Sequence, residues 1–406
     1  MSVAPPEQSS WIERTAYVSL LAFAATPQFS IAAANVLLGL TAILWLAVVI
    51  SNRERIEVPP MFWPLAAYAG ATLVSSLFSL NPPTSFLDSK QLLLFAIVPI
   101  TYRLFRGERS LTAVDVIITV GAMNAVYGIL QYGVLDHNNT QSRVHGNLGH
   151  YMTYSGVIML VACLAAARVM FRRRDRVWAA LVLPAVIVAL ALTLSRNAWV
   201  GACAGIGTLF LLRDFRLVAL LPVILGLFVA VAPKAVTDRV YSMVSLKVAV
   251  GAGESAGSTV GSNRDRLAMI VSGLNIIKDR PLTGVGPDMV IEVYPHYRNK
   301  LSVQQLNPHL HNVPLQIAAE RGLPALAIWC WFVVTLIRDF LARRRSSSLP
   351  SLAVGGLACV IAMLAAGMFE YNFGDSEFLM LFLVLVTLPY AADRSPVPAI
   401  VRPRAA

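Results

Sequence analysis

Histidine is the side chain whose proton exchange falls nearest neutral pH, and this chain has six of them. None lies in an apolar run. His137, His145 and His150 share one polar stretch, and His296, His309 and His311 share another, the longest in the sequence. The second stretch also carries Arg264, Arg266, Arg280 and the string Asn307-Pro308-His309-Leu310-His311-Asn312. Guanidinium groups hold phosphate oxygens through directed N–H donors, and a neutral imidazole can take the proton of a hydroxyl. Together they describe a transfer away from a phosphate and onto a hydroxyl.

The local pattern gives each group a place. Leu267, Ile270, Val271, Leu274 and Ile277 recur at helical spacing, predicting an amphipathic helix from Asn263 to Lys278, with Asn263 as N-cap and Pro281 and Gly284 beyond its end. Arg264 and Arg266 then fall in its first turn, where the macrodipole disfavours positive charge unless an anion is bound. In the bland alternative both are solvated and Asp265 satisfies the dipole. Downstream, Asn312 suits an N-cap, Pro314 a first turn and Gly322 the residue after a C-terminus. His311 would sit just ahead of that helix, whose positive end disfavours imidazolium and keeps the ring basic. His309 and Asn312 would support it, although a purely structural histidine pair fits the same residues.

Zinc is the rival reading. His309-x-His311 supplies two ligands at most, no cysteine lies outside the apolar runs, and His-Glu-x-x-His is absent, so neither metal nor cofactor is expected. The Gly/Ser-rich stretch 251–258 is no phosphate-cradling P-loop, because no Gly-Lys-Ser/Thr follows it.

The elements that must position these groups are membrane helices. Of the 406 residues 57% are hydrophobic and 14% charged, with a mean hydropathy of +0.65, where a soluble domain has about a quarter charged residues. The runs are continuous rather than alternating, which excludes a β-barrel and predicts an all-α polytopic membrane protein. About twelve spans are expected, near 12–28, 30–50, 60–79, 89–104, 111–134, 150–170, 178–194, 198–212, 215–232, 323–341, 351–369 and 377–391. Accordingly 1–232 reads as spans, 233–322 as a large loop with short helices, and 323–406 as the last spans and a tail. Leu20 to Ala25 resembles a signal sequence, but Glu7 and Glu13 precede it, so it reads as an uncleaved first span.

Arginines crowd alternate loops: Arg53/Arg55, Arg106/Arg109, Arg172–Arg176, Arg213/Arg216, Arg343–Arg345 and the tail. This puts both termini in the cytoplasm and 233–322 outside. The net charge of +11 is thus spent on orientation, and nucleic acid is not expected as a partner. Arg196, in Leu194-Ser195-Arg196-Asn197, is an exception at an outer span end. It either snorkels to headgroups or is a fixed cation at the mouth of a site. Cys163, Cys203, Cys330 and Cys359 all sit in apolar runs and read as buried thiols.

A phosphate-bearing substrate outside the cytoplasm, where no nucleotide fold is present, is most simply a lipid-linked sugar diphosphate. At this point the residues resemble the O-antigen ligase family. The likeness rests on Leu194-Ser195-Arg196, Arg266-x-x-Met269, Asp279-Arg280-Pro281-Leu282-Thr283-Gly284-Val285-Gly286, His309-x-His311-Asn312 and Glu320-Arg321-Gly322. It implies twelve spans of the GT-C-like glycosyltransferase class in the bacterial inner membrane, with a periplasmic loop. It also implies metal-independent, inverting transfer of O-antigen from undecaprenyl diphosphate to lipid A-core in lipopolysaccharide biosynthesis. Matching residues put the diphosphate on Arg196 and Arg266 and make His311 the base. Ile270 stands where the family usually has an aromatic, so Arg264 could share the role of Arg266, with Arg280 as a further candidate. Related enzymes polymerise the glycan or transfer it to protein. From another class, a transporter of a lipid-linked anion would place ionisable groups at mid-span, and almost none are found there: Asp115 and Glu370 lie near span ends.

Overall fold

A computed structural model describes residues 7–172, 176–220, 222–223, 226, 230, 232–244, 259–300, 302 and 304–394. It is helical throughout, and no strand occurs among the described residues. The helices are α1 (Glu7–Ala25), α2 (Ile31–Ser51), α3 (Phe62–Leu77), α4 (Pro82–Asp88), α5 (Ile97–Leu104), α6 (Arg109–Val134), α7 (Tyr151–Phe171), α8 (Arg176–Leu192) and α9 (Arg196–Arg213). They continue as α10 (Lys234–Val244), α11 (Thr259–Asp279), α12 (Val290–Tyr297), α13 (Val313–Ser346), α14 (Pro350–Gly367) and α15 (Ser376–Ala392).

Five of these, α2, α6, α7, α13 and α14, are long and apolar enough to cross a membrane, and α8 and α15 are shorter apolar helices. That is fewer than the twelve expected spans, for local reasons. The 89–104 run is broken into a 3-10 segment, Ser89–Ala96, and the short α5. α3 has 16 residues, below the ~17–25 of a typical span. The 215–232 run opens as a 3-10 turn, Phe215–Leu220, and seven of its residues lie outside the described ones, as does the whole 251–258 stretch.

α7, α14 and α15 are buried along most of their length, and α14 packs against α7, α9, α13 and α15. Its contact with α9 depends on small residues. A Cβ on Gly201 would lie 2.7 Å from the Ala362 carbonyl oxygen, and one on Gly205 2.7 Å from that of Ala358. This small-xxx-small face lets the two backbones meet antiparallel, which brings the start of α9 beside the end of α14. Arg196 and Glu370 are thereby carried to the same end of the bundle. At the opposite end arginines pair with acids: Arg103 with Glu13 (3.2 Å) and Glu54 (2.6 Å), and Arg343 with Asp393 (3.1 Å). Asp115 pairs with Arg168 at 2.8 Å, near that same end.

Helices α11 and α12, the residues between them, and the segments leading into and opening α13 share a small core of Met269, Ile276, Val285, Met289, Val290, Tyr294, Leu310 and Ala319. Helix α11 starts four residues before the expected Asn263, so Asn263 is not its cap and Arg264 and Arg266 lie past the first turn. Its buried face also differs from the expected stripe. Leu267, Ile270 and Leu274 are exposed, whereas Ala268, Met269, Ser272 and Ile276 are buried. The reason is close approach: a Cβ on Gly273 would come within 2.8 Å of Leu310 and Leu315, so the small-residue side meets α13. All four cysteines are free, but Cys203 and Cys330 are exposed on the bundle surface rather than buried.

Candidate active site

Helix α13 begins as the sequence predicts. Asn312 caps it, its side chain accepting from the Leu315 N–H at 2.9 Å, and its amide donates to the Met368 carbonyl at 3.1 Å. That second bond ties the start of α13 to the end of α14. Just upstream, His311 adopts a left-handed backbone, φ 48°, and the Gln316 side chain accepts from the Leu310 N–H at 2.7 Å. The turn brings the His309 and His311 rings to 4.3 Å between centroids.

Between the rings sits a residue that the motif did not foretell. Glu370, 7% exposed, bonds His309 Nε2 through Oε1 and His311 Nδ1 through Oε2, both at 2.9 Å. A carboxylate only accepts, so each imidazole donates, leaving His309 Nδ1 and His311 Nε2 as proton acceptors. Burial alone would raise the Glu370 carboxyl, but the two imidazole hydrogen bonds and their charges outweigh it and hold it well below the usual carboxylate range. The two-ligand limit read from His-x-His therefore does not stand. His309, His311 and Glu370 each offer one ligand atom, within 4.8 Å of one another, a set that could hold a divalent cation.

The arginines lie within electrostatic range of one another, and Arg266 within that of Glu370. Arg196 is the first residue of α9, and its charge interacts with those of Arg266 and Arg143. Burial lowers the Arg266 guanidinium, Glu370 and Tyr151 oppose that, and Arg143 adds to it. The field of Glu370 on Arg266 links the cationic and imidazole halves of the site. Arg239, on α10, donates from Nε to the Leu194 carbonyl at 3.3 Å. It is pushed down to about 10 by burial and then by Arg196, Arg143 and Arg266. Arg143 is placed over the Tyr151 ring, 4.3 Å from its centroid, and donates to the Thr140 carbonyl at 3.0 Å. Four like charges from four segments of chain, near a helix start, form an anion site in physical terms.

The remaining candidates fall elsewhere. Arg264 is half-buried two residues before Arg266 on α11. Asp265 between them is buried, accepting from the Ser302 hydroxyl and the Gln304 N–H at 3.2 Å each. Arg280 lies past the far end of α11, roughly 20 Å along the axis from Arg266 at 1.5 Å per residue, and donates to the Phe78 carbonyl. Its motif is architectural. Val285 and Gly286 donate to the Ala319 and Glu320 carbonyls at 3.0 and 2.9 Å, Leu323 donates to that of Pro281 at 2.8 Å, and Ser75 donates to those of Thr283 and Glu320. Gly284 and Gly322 have φ 66° and 82°, and a Cβ on either would strike the other strand of this clasp at 2.3 or 2.2 Å.

Sequence reasoning missed Glu370, Arg239 and the placement of Arg143. Glu370 is 59 residues from His311 and carries no local signal beyond a lone acid at a span end. Arg239 had only its occurrence in a loop already rich in cations.

The fold and site define a class: a polytopic helical membrane protein with a cluster of arginines and a histidine–carboxylate group at one end of the bundle. Residues 181–330 match the family model described as O-antigen ligase. The match contains Arg196, Arg239, Arg266, His309 and His311, whereas Arg143 and Glu370 lie outside it. No curated protein matches the chain.

Proposed function

We propose that the protein is an inner-membrane glycosyltransferase that ligates O-antigen from undecaprenyl diphosphate to a hydroxyl of lipid A-core, without metal and with inversion. The observation that carries this reading is that Arg266 lies within electrostatic range of both Arg196 and the Glu370 that bonds His311. The acceptor oxygen attacks the anomeric carbon and gives its proton to His311 Nε2. The bond from that carbon to the diphosphate oxygen breaks, and the departing charge is met by Arg196 and Arg266, with Arg143 and Arg239 beside them. Glu370 holds the His311 tautomer and faces the imidazolium that forms. We further propose a GT-C-like arrangement of twelve spans, with 233–322 facing the periplasm.

Purified protein given lipid-linked O-antigen and lipid A-core should yield the ligated product, and EDTA should leave the rate unchanged. Elongated lipid-linked glycan instead would mark a polymerase, and glycosylated protein a protein oligosaccharyltransferase. Movement of the lipid-linked anion across vesicles with no covalent product would mark a transporter. Loss of activity in EDTA, restored by one divalent cation, would give His309, His311 and Glu370 to a metal.

A further inference from the structure

A cavity of about 210 Å³ opens between the starts of α7 and α9 and the α14–α15 connection. At about 30 Å³ of liquid per water, it has the room of roughly seven waters, enough for one sugar ring. His309 and Glu370 line it, which places it against the proposed catalytic group, and His150, Thr153, Asn197 and Asp375 line the rest of its polar wall. Phe378 and Gly156 add an apolar surface. Neither arginine nor lysine is part of the lining. With two carboxylates in its wall, the cavity would repel phosphate.

Two of the polar groups are fixed as helix caps. Asp375 caps α15, Oδ1 accepting from the Phe378 N–H at 2.9 Å, while Oδ2 accepts from the Thr153 hydroxyl. A carboxylate has about four acceptor positions, so two remain for a ligand. His150 caps α7 through Nδ1, which takes the Met152 N–H at 3.3 Å. Its proton therefore sits on Nε2, which can donate. A fixed acceptor and a fixed donor, with the Phe378 ring in the same wall, suit the hydroxyls of a sugar and its apolar C–H surface.

We propose that this cavity is the acceptor subsite, holding through Asp375 and His150 the sugar unit that bears the reacting hydroxyl. The inference rests on the glycan-transfer reading above. His309 and His311 are one ring width apart, so a sugar seated in the cavity can extend its reacting hydroxyl past His309 to His311. Burial raises the Asp375 carboxyl, and a ligand hydroxyl donating to it would replace the water it has lost.

The test separates acceptor from glycan donor in the full-length protein. Asp375→Asn and His150→Asp both keep a side chain able to cap the helix while removing the ligand-facing charge or donor. With lipid-linked O-antigen saturating and lipid A-core varied, each should raise the KM for lipid A-core about tenfold, the cost of one good hydrogen bond. The KM for the lipid-linked donor and the melting temperature should not change. An unchanged acceptor KM in both variants, or a rise in the donor KM instead, would remove the subsite and leave the glycosyltransferase standing. A wild-type protein that transfers glycan to no acceptor would remove both.

Discussion

At the scale of single residues, the proposed reaction divides labour between groups that hold charge and one that moves a proton, and the two should fail differently when altered. Arg196→Ala or Arg266→Ala removes charge-assisted hydrogen bonds worth roughly 1.5–3 kcal/mol, so transfer should fall about ten- to a hundredfold. Lysine should restore only part, lacking the planar fork. Near-wild-type rates in both alanine variants would take the diphosphate away from these residues. His311→Ala should abolish ligation, since a positioned base contributes ~10²–10⁴-fold, while His309→Ala should act more mildly. The reverse order would make His309, which lines the cavity, the base. Glu370 gives a pH signature with a definite sign. Its folded pKa is depressed, so its contribution is complete above the ordinary glutamate value and is lost only as pH falls through the lower folded value. Loss of activity between about pH 7 and 5 therefore belongs to an imidazole. A carboxylate beside an imidazole favours the imidazolium, so Glu370→Gln should lower kcat and move the acid limb of the profile to lower pH. An unmoved limb would reduce Glu370 to a structural partner.

Among elements, the legible parts are those with strong local rules. The cap at Asn312, the break at Gly322 and the long apolar helices α6 and α7 follow from capping chemistry and hydropathy, and the structure has them all. The start of α11 was misread because a cap is worth only ~1 kcal/mol, and nothing from Thr259 to Asn263 forbids helical backbone. Its buried face was misread because periodicity finds large apolar residues, whereas close helix contact selects small ones such as Ala268, Ser272 and Gly273. Glu370 was illegible as a partner, since only the packing of α14 on α9 and α13 brings it to His311. These contacts make a prediction about stability. Gly284→Ala or Gly322→Ala combines left-handed backbone with a backbone collision, and Gly205→Val drives side-chain atoms into the Ala358 carbonyl. Each should cost at least ~1–3 kcal/mol, seen as a lower melting temperature in detergent, whereas Gly39→Ala, with open space around it, should cost nothing measurable. Equal melting temperatures for all four would mean that the clasp and the helix contact are looser than their geometry.

For the whole molecule, the arginine pattern of the loops predicts which side of the membrane each end of the bundle faces. Cysteine placed at exposed Lys300 should react with an impermeant thiol reagent in intact cells, and cysteine placed at exposed Ser346 should react only after permeabilisation. The opposite pattern would invert the protein. The two ends also differ in how they handle charge. One pairs its arginines with Glu13, Glu54 and Asp393; the other gathers Arg143, Arg196, Arg239 and Arg266 within range of one another's repulsion. Burial and these like charges together push Arg239 down to about 10. A ligand that binds only the folded state adds RT ln(1 + [L]/Kd) to stability, and here a diphosphate would also cancel a repulsion already present. The protein should therefore melt at its lowest temperature when empty and in dilute buffer. It should gain from salt, which screens exposed charge, and gain most from its own lipid-linked substrate, so that heat resistance reports occupancy.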